Sequence, residues 1–116
     1  MSDSNAVPGR FNVFDYKGAT LIADDGPLDN PQRPEQLVKE AGQVDVLLAN
    51  LGIPAPSTPA AEVTDDEWRM AFAHMVDPLQ RLVKAVLPQM MARGSGKIIL
   101  IGSASALRGI RRASTY

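Results

Sequence analysis

The sequence contains no cysteine and a single histidine, His74. The first absence rules out disulfides, thiolate metal ligands and cysteine nucleophiles, and it fits a reducing compartment. The second leaves too few imidazoles for a histidine metal centre. An excess of one charge is also missing. With 12 basic and 13 acidic residues the net charge is -1, so neither nucleic acid nor an anionic membrane is expected as a partner. No apolar run approaches the roughly 18 residues that cross a bilayer, and no basic lead with an apolar run opens the chain, so a cytoplasmic protein is expected. A chain of 116 residues makes one domain at most. Such a domain can bury roughly two thirds of its unfolded surface.

What is present is concentrated toward the C-terminal end. Residues 98–101 are four large apolar residues after the turn Gly94-Ser95-Gly96-Lys97, too short for a helix and apolar enough for a strand buried on both faces. Gly102 and Ser103 follow at its carboxyl end, where open parallel α/β sheets hold their ligand crevice. Tyr116 lies thirteen residues beyond Ser103. Residues 44–49 predict a second buried strand, which ends in Asn50-Leu51-Gly52. Residues 20–24 predict a short strand ending in Asp24 and Asp25, closed by the turn at Gly26-Pro27. Asn30-Pro31 can cap a scaffold helix over residues 34–41, with Leu37, Val38 and Ala41 inward and Gly42 as its stop.

A loop with three prolines occupies residues 53–61. Thr64-Asp65-Asp66-Glu67 is then a capping box. It opens a long helix in which Trp68, Phe72, Met75, Val76, Leu79, Leu82, Val83, Val86 and Met90 recur at three and four residues. Pro78 and Pro88 are expected to bend it. The apolar stripe exceeds what one small sheet can cover.

A serine closing such a strand, with a tyrosine thirteen residues on, resembles the short-chain dehydrogenase/reductase family. The resemblance implies an α/β fold: a partial Rossmann-like parallel sheet of about three strands with flanking helices, lacking the first βα unit and the C-terminal strands. Residues 1–13 are read as a flexible N-terminus and residues 14–116 as the incomplete domain. By the family pattern Ser103 and Tyr116 are the catalytic pair, sharing the oxygen of a small alcohol or carbonyl substrate. Asn50 and Gly52 match the family's Asn-Ala-Gly, with Leu51 departing. Asp25, or less favourably Asp24, would receive the ribose hydroxyls of NAD or NADP, the cofactors of the intact family. The helix over residues 64–93 implies a homo-oligomer, since this element supplies a dimer face in the family.

Three departures accompany the resemblance. The phosphate-binding Gly-x-x-x-Gly-x-Gly is absent from the N-terminal half, where its backbone would approach a pyrophosphate. Met75 stands where the family has a helix Asn, and a thioether cannot make an amide's hydrogen bonds. The position of the activating Lys, four residues past the tyrosine, falls beyond residue 116. The expected function is therefore that of a fragment of an NAD(P)-dependent oxidoreductase. A second reading is a relative of the halohydrin dehalogenases, which keep Ser and Tyr without the nucleotide. A third is a catalytically silent product that associates through its long helix. His74 is expected to have no role, and Arg108, Arg111 and Arg112 to form a solvated basic loop.

Overall fold

The computed structural model describes residues 11–52 and 57–116. Residues 1–10, within the expected flexible terminus, and residues 53–56 of the proline-rich loop lie outside them. Strands β1 (Phe11–Tyr16) and β2 (Ala19–Asp24) pair antiparallel, from Phe11 opposite Asp24 to Tyr16 opposite Ala19. The first strand thus begins inside the segment expected to be flexible. Lys17 and Gly18 turn between them with φ of 49° and 83°, the doubly positive geometry whose twist matches that of the strands. Residues 44–49 do not pair with β2. A two-residue turn closes at far lower entropic cost than a crossing to another sheet, so β2 folds back on β1.

Helix α1 (Arg33–Ala41) starts after a turn in which Asn30 Oδ1 accepts the Gln32 N–H at 3.0 Å. Its apolar face turns Val38 inward, and Gly42 stops it with φ of 77°. Arg33 is tied to Asp24 at the end of β2, whose other oxygen accepts the Gly26 N–H at 2.9 Å. The Asp24 side chain is 1% exposed. Hairpin and helix are joined at that point.

Strands β3 (Val46–Ala49) and β4 (Lys97–Leu100) form a parallel pair, with Leu47 beside Ile98 and Ala49 beside Leu100. The connection between them includes α2 (Asp65–Met75) and α3 (Asp77–Arg93). Here the single helix expected over residues 64–93 is divided. Pro78 has no N–H to give and its ring crowds the preceding turn, so the chain breaks at Val76 and Pro78 enters the first turn of α3. Pro88, by contrast, is accommodated within α3. Thr64 caps α2 by accepting the Glu67 N–H at 3.1 Å.

The core is Leu28, Val38, Leu82, Val86 and Met90, with Leu37, Val44, Leu47, Leu51, Ala85 and Ile98 packed on it. Helix α3 lies at its centre, between α1 and one face of the parallel pair. Val86 is fully buried. The strands are not covered on both faces as their composition predicts: Val46, Leu48 and Ile99 are exposed, Leu48 by 58%. Among the described residues no third strand joins this pair, and no helix is long and apolar enough to cross a membrane.

Candidate active site

At the carboxyl ends of β3 and β4 both strands run out into loops, and a cavity of about 270 Å³ opens there. Ala49, Asn50 and Leu51 continue β3 along one wall, and Leu100 to Ser103 continue β4 along another. Ile101 N–H still reaches Ala49 O at 3.0 Å, so the two exits stay side by side. Met75 at the end of α2 and Leu79 in the first turn of α3 form an apolar side, and Ser105, Ala106 and Tyr116 complete the lining. Of the residues singled out in the sequence, Asn50, Ser103 and Tyr116 meet at this cavity, while Gly52 and Asp25 are not on its wall.

Ser103 leaves β4 in extended backbone and is followed by one 3₁₀ turn, Ala104–Ala106. Its Oγ accepts the Ser105 N–H at 3.2 Å and lies 2.7 Å from Ser105 Oγ. Ser105 was not picked out by sequence reasoning. The available signal was its spacing, a second hydroxyl two residues along a chain about to turn.

Tyr116 is carried to the cavity by a tail fastened at three places. Thr58 pairs with Ala113 in a parallel bridge, and its N–H donates to Arg112 O at 3.0 Å. The Arg112 guanidinium donates to Ser57 Oγ at 3.1 Å and to Ser57 O at 2.9 Å. Thr115 Oγ1 donates to Glu67 Oε1 at 3.4 Å, joining the tail to the start of α2. Arg112 is thus a fastening of the tail, where a solvated basic loop was expected; Arg108 and Arg111 are exposed. Tyr116 remains 49% exposed. His74 faces away into a contact with Asp29, Nε2 to Oδ2 3.8 Å, and is not on the cavity wall.

Electrostatically the lining is simple. Tyr116 is its one residue with a titratable side chain, set among hydroxyls, an amide and apolar groups. Asp24 is committed to Arg33, and the hydrogen bond that the guanidinium donates to that carboxylate raises the Arg33 pKa above its ordinary value. Neither a phosphate-binding glycine loop nor a free ribose acceptor is assembled with the cavity from the described residues. These residues do not make a complete dinucleotide site by themselves. No group of three or more His, Asp or Glu side chains gathers to hold a metal among the described residues.

The family model for short chain dehydrogenases matches residues 29–116. The chain belongs to that family, whose members bind NAD or NADP. It is 31% identical over 112 residues to the 3-oxoacyl-(acyl-carrier-protein) reductase FabG of Salmonella typhimurium, covering 93% of this chain and 46% of the reductase. A solved structure described as a dehalogenation enzyme is 34% identical with a TM-score of 0.64, over 74% of this chain and 35% of its own. The closed form of a serine dehydrogenase complexed with NADP+ is 26% identical with a TM-score of 0.67, over 77% of this chain and 38% of its own. The chain spans about half the length of the reductases it matches, or less.

Proposed function

We propose that this chain carries the substrate-side half of an oxidoreductase acting on a small alcohol or carbonyl compound. Ser103 fixes the substrate oxygen and Tyr116 exchanges a proton with it. The observation that carries this reading is that Ser103, at the exit of β4, and Tyr116, at the end of the fastened tail, line one cavity at the carboxyl ends of two parallel strands. NAD or NADP, proposed for the whole protein, would supply hydride chemistry when bound. Asn50 and Gly52 lie on the loop that would face it, and Asp25 is the acid proposed for its ribose. What the chain itself offers is orientation and proton transfer. A phenol carries a proton that it can give to a carbonyl oxygen, and a phenolate can take one from an alcohol. A hydroxyl at Ser103 would stabilise charge developing on that oxygen.

The test is reduction of a panel of small ketones with NADPH or NADH by the whole protein and by its Ser103→Ala and Tyr116→Phe variants. Loss of turnover by about 10²-fold or more in both variants supports the roles. Turnover that survives both substitutions removes them.

A second reading, a nucleotide-free dehalogenase, is favoured by one observation: 34% identity to a structure described as a dehalogenation enzyme. The missing Gly-x-x-x-Gly-x-Gly fits it as well. Halide release from a halohydrin without added nucleotide would select this reading over the first. A third proposal concerns assembly: homo-oligomers form through the face of α2 and α3, where Trp68, Phe72, Val76, Leu87 and Met91 are exposed.

A further inference from the structure

The proposed pairing of Ser103 and Tyr116 leaves Ser105 unused, although it lines the same cavity and is the partner of Ser103 in both of that side chain's hydrogen bonds described above. A hydroxyl has one proton and two acceptor lone pairs. The backbone N–H of Ser105 takes one lone pair of Ser103 Oγ at 3.2 Å. The 2.7 Å contact between the two hydroxyls can run in either direction. With an acceptor in the cavity, one ordering lets every bond polarise the next: Ser105 Oγ–H donates to Ser103 Oγ, and Ser103 Oγ–H donates to the ligand. Both lone pairs of Ser103 are then filled from Ser105, and its own proton is all it has left to offer.

We infer that Ser105 is a positioning residue that presets Ser103 as a hydrogen-bond donor, so that the cavity selects an uncharged ligand presenting an acceptor-only oxygen, a carbonyl in preference to an alcohol. This rests on the reading of Ser103 as the substrate-oxygen residue. The remaining lining agrees with an uncharged ligand, since it contains no acidic or basic side chain apart from the phenol of Tyr116 and its apolar side is built by Met75, Leu79 and Leu100. Without the Ser105 hydroxyl, a lone pair of Ser103 is released. Ser103 can then accept from an alcohol as well as donate to a ketone, and the preference is lost.

The experiment uses the chain as it stands, with cyclohexanone and cyclohexanol as probes in ligand-observed NMR titrations. Ser105→Ala is expected to weaken cyclohexanone about threefold or more, leave cyclohexanol within about twofold, and Ser105→Thr, which keeps a hydroxyl, to restore the ketone preference. Equal changes for the two probes, or a threonine that does not rescue, overturn the inference. A wild type that binds neither probe overturns the substrate-oxygen reading of Ser103 and the inference with it, which separates that failure from binding without discrimination. The pairing has its own readout independent of any ligand. Exchange of the Ser105 amide proton is expected to quicken about threefold or more in Ser103→Ala and to stay near wild type in Ser105→Ala, where the acceptor survives. An amide indifferent to Ser103→Ala overturns the inference whatever the titrations give.

Discussion

Gln89, on α3, accepts the backbone N–H of Val44 at 2.8 Å across a sequence separation of 45 residues. Its Nε2 donates to Gly42 O at 3.0 Å, so one amide spans the loop that leads from α1 into β3. Arg93, one turn further along α3, donates to Gln89 Oε1 at 3.1 Å and to Val44 O. Both backbone polar groups of Val44 are therefore satisfied from the same helix, in the loop that sets where β3 starts.

Removing that amide leaves a part-buried N–H and a carbonyl without their partners. Gln89→Leu, close in volume, is expected to cost about 2 kcal/mol, because an unsatisfied buried group loses more than the net worth of its bond. Gln89→Glu keeps the acceptor for Val44 and loses the donor to Gly42, and should cost about half as much. Urea unfolding checks both: the midpoint falls in that order while the slope stays constant. Equal midpoints for the two variants would mean that the bond to Val44 contributes nothing.

Gly96 sits where the turn after α3 passes over Met90. The helix ends in a Schellman motif, with Gly94 at φ 70° and the Ser95 N–H on Met90 O at 3.1 Å, which swings the chain back across the last turn. A Cβ at residue 96 would overlap Met90 Cγ and Sδ and stand 3.0 Å from its Cβ. Met90 is buried in the core and cannot swing freely. Gly96→Ala is expected to cost about 1–3 kcal/mol as an overpacked site. Met90→Ala alone opens a cavity and costs about 2–5 kcal/mol, whereas the double variant should be more stable than the two costs added together. Strict additivity in a double-mutant cycle would show that the two residues do not meet.

How much of this was legible beforehand depends on range. Local chemistry read well: the Thr64 cap, the Gly42 stop, the core face around Val38 and the stripe from Leu82 to Met90 are set by spacing within a few residues. The strand exits at Asn50 and Ser103 were legible for the same reason, since apolar runs ending in small polar residues mark them directly. What failed involved choices between partners. The sequence of β2 suits a parallel or an antiparallel neighbour equally, and the turn at Lys17-Gly18 decided for the hairpin. Periodicity runs through Val76 without a fault, yet the missing N–H of Pro78 divides the helix. Ser105, Gln89 and Arg112 act through a few side-chain hydrogen bonds each, those of Gln89 and Arg112 reaching over tens of residues, and carry no periodic signal.

Asp24 and Arg33 join the hairpin to α1, and their contribution should be asymmetric. Arg33→Met leaves a carboxylate that is 1% exposed without its guanidinium partner, and is expected to cost about 3 kcal/mol. Asp24→Asn with Arg33→Met removes the buried charge and should recover at least half of that loss. As to pH, the hydrogen bond to Asp24 raises the Arg33 pKa in the folded state, so its stabilisation is complete below the ordinary arginine range and is lost only as pH rises through the still higher folded value. Between about pH 6 and pH 9 the arginine's share of stability is therefore expected to stay flat. Guanidinium unfolding at both ends of that window is the check. A double variant no more stable than Arg33→Met would remove the buried-charge account.

Helix α2 buries Ala71 and leaves Trp68 51% exposed, with Trp68 and Phe72 rings packed at 5.2 Å and tilted by 51°. Residues 68, 72 and 76 fall on one stripe of a helical surface, and Val76 continues it to the break before α3. A large aromatic pair held rigid on a helix and left to water is the kind of surface that anchors protein association, since tryptophan carries much area at little entropic cost. If the wild type self-associates through this face, Trp68→Arg should weaken it about tenfold or more, the loss of one well-packed anchor. Lys84→Ala, an exposed polar position on α3, should leave it unchanged. Sedimentation velocity over a concentration series separates the cases, with the intrinsic fluorescence of the single tryptophan shifting to shorter wavelength as association buries it. A wild type that sediments as a monomer throughout would remove the association, whereas a Trp68→Arg variant that associates as well as the wild type would move the interface away from α2. The open face of β3 and β4, where Leu48 and Ile99 are exposed, would then be the surface to substitute next.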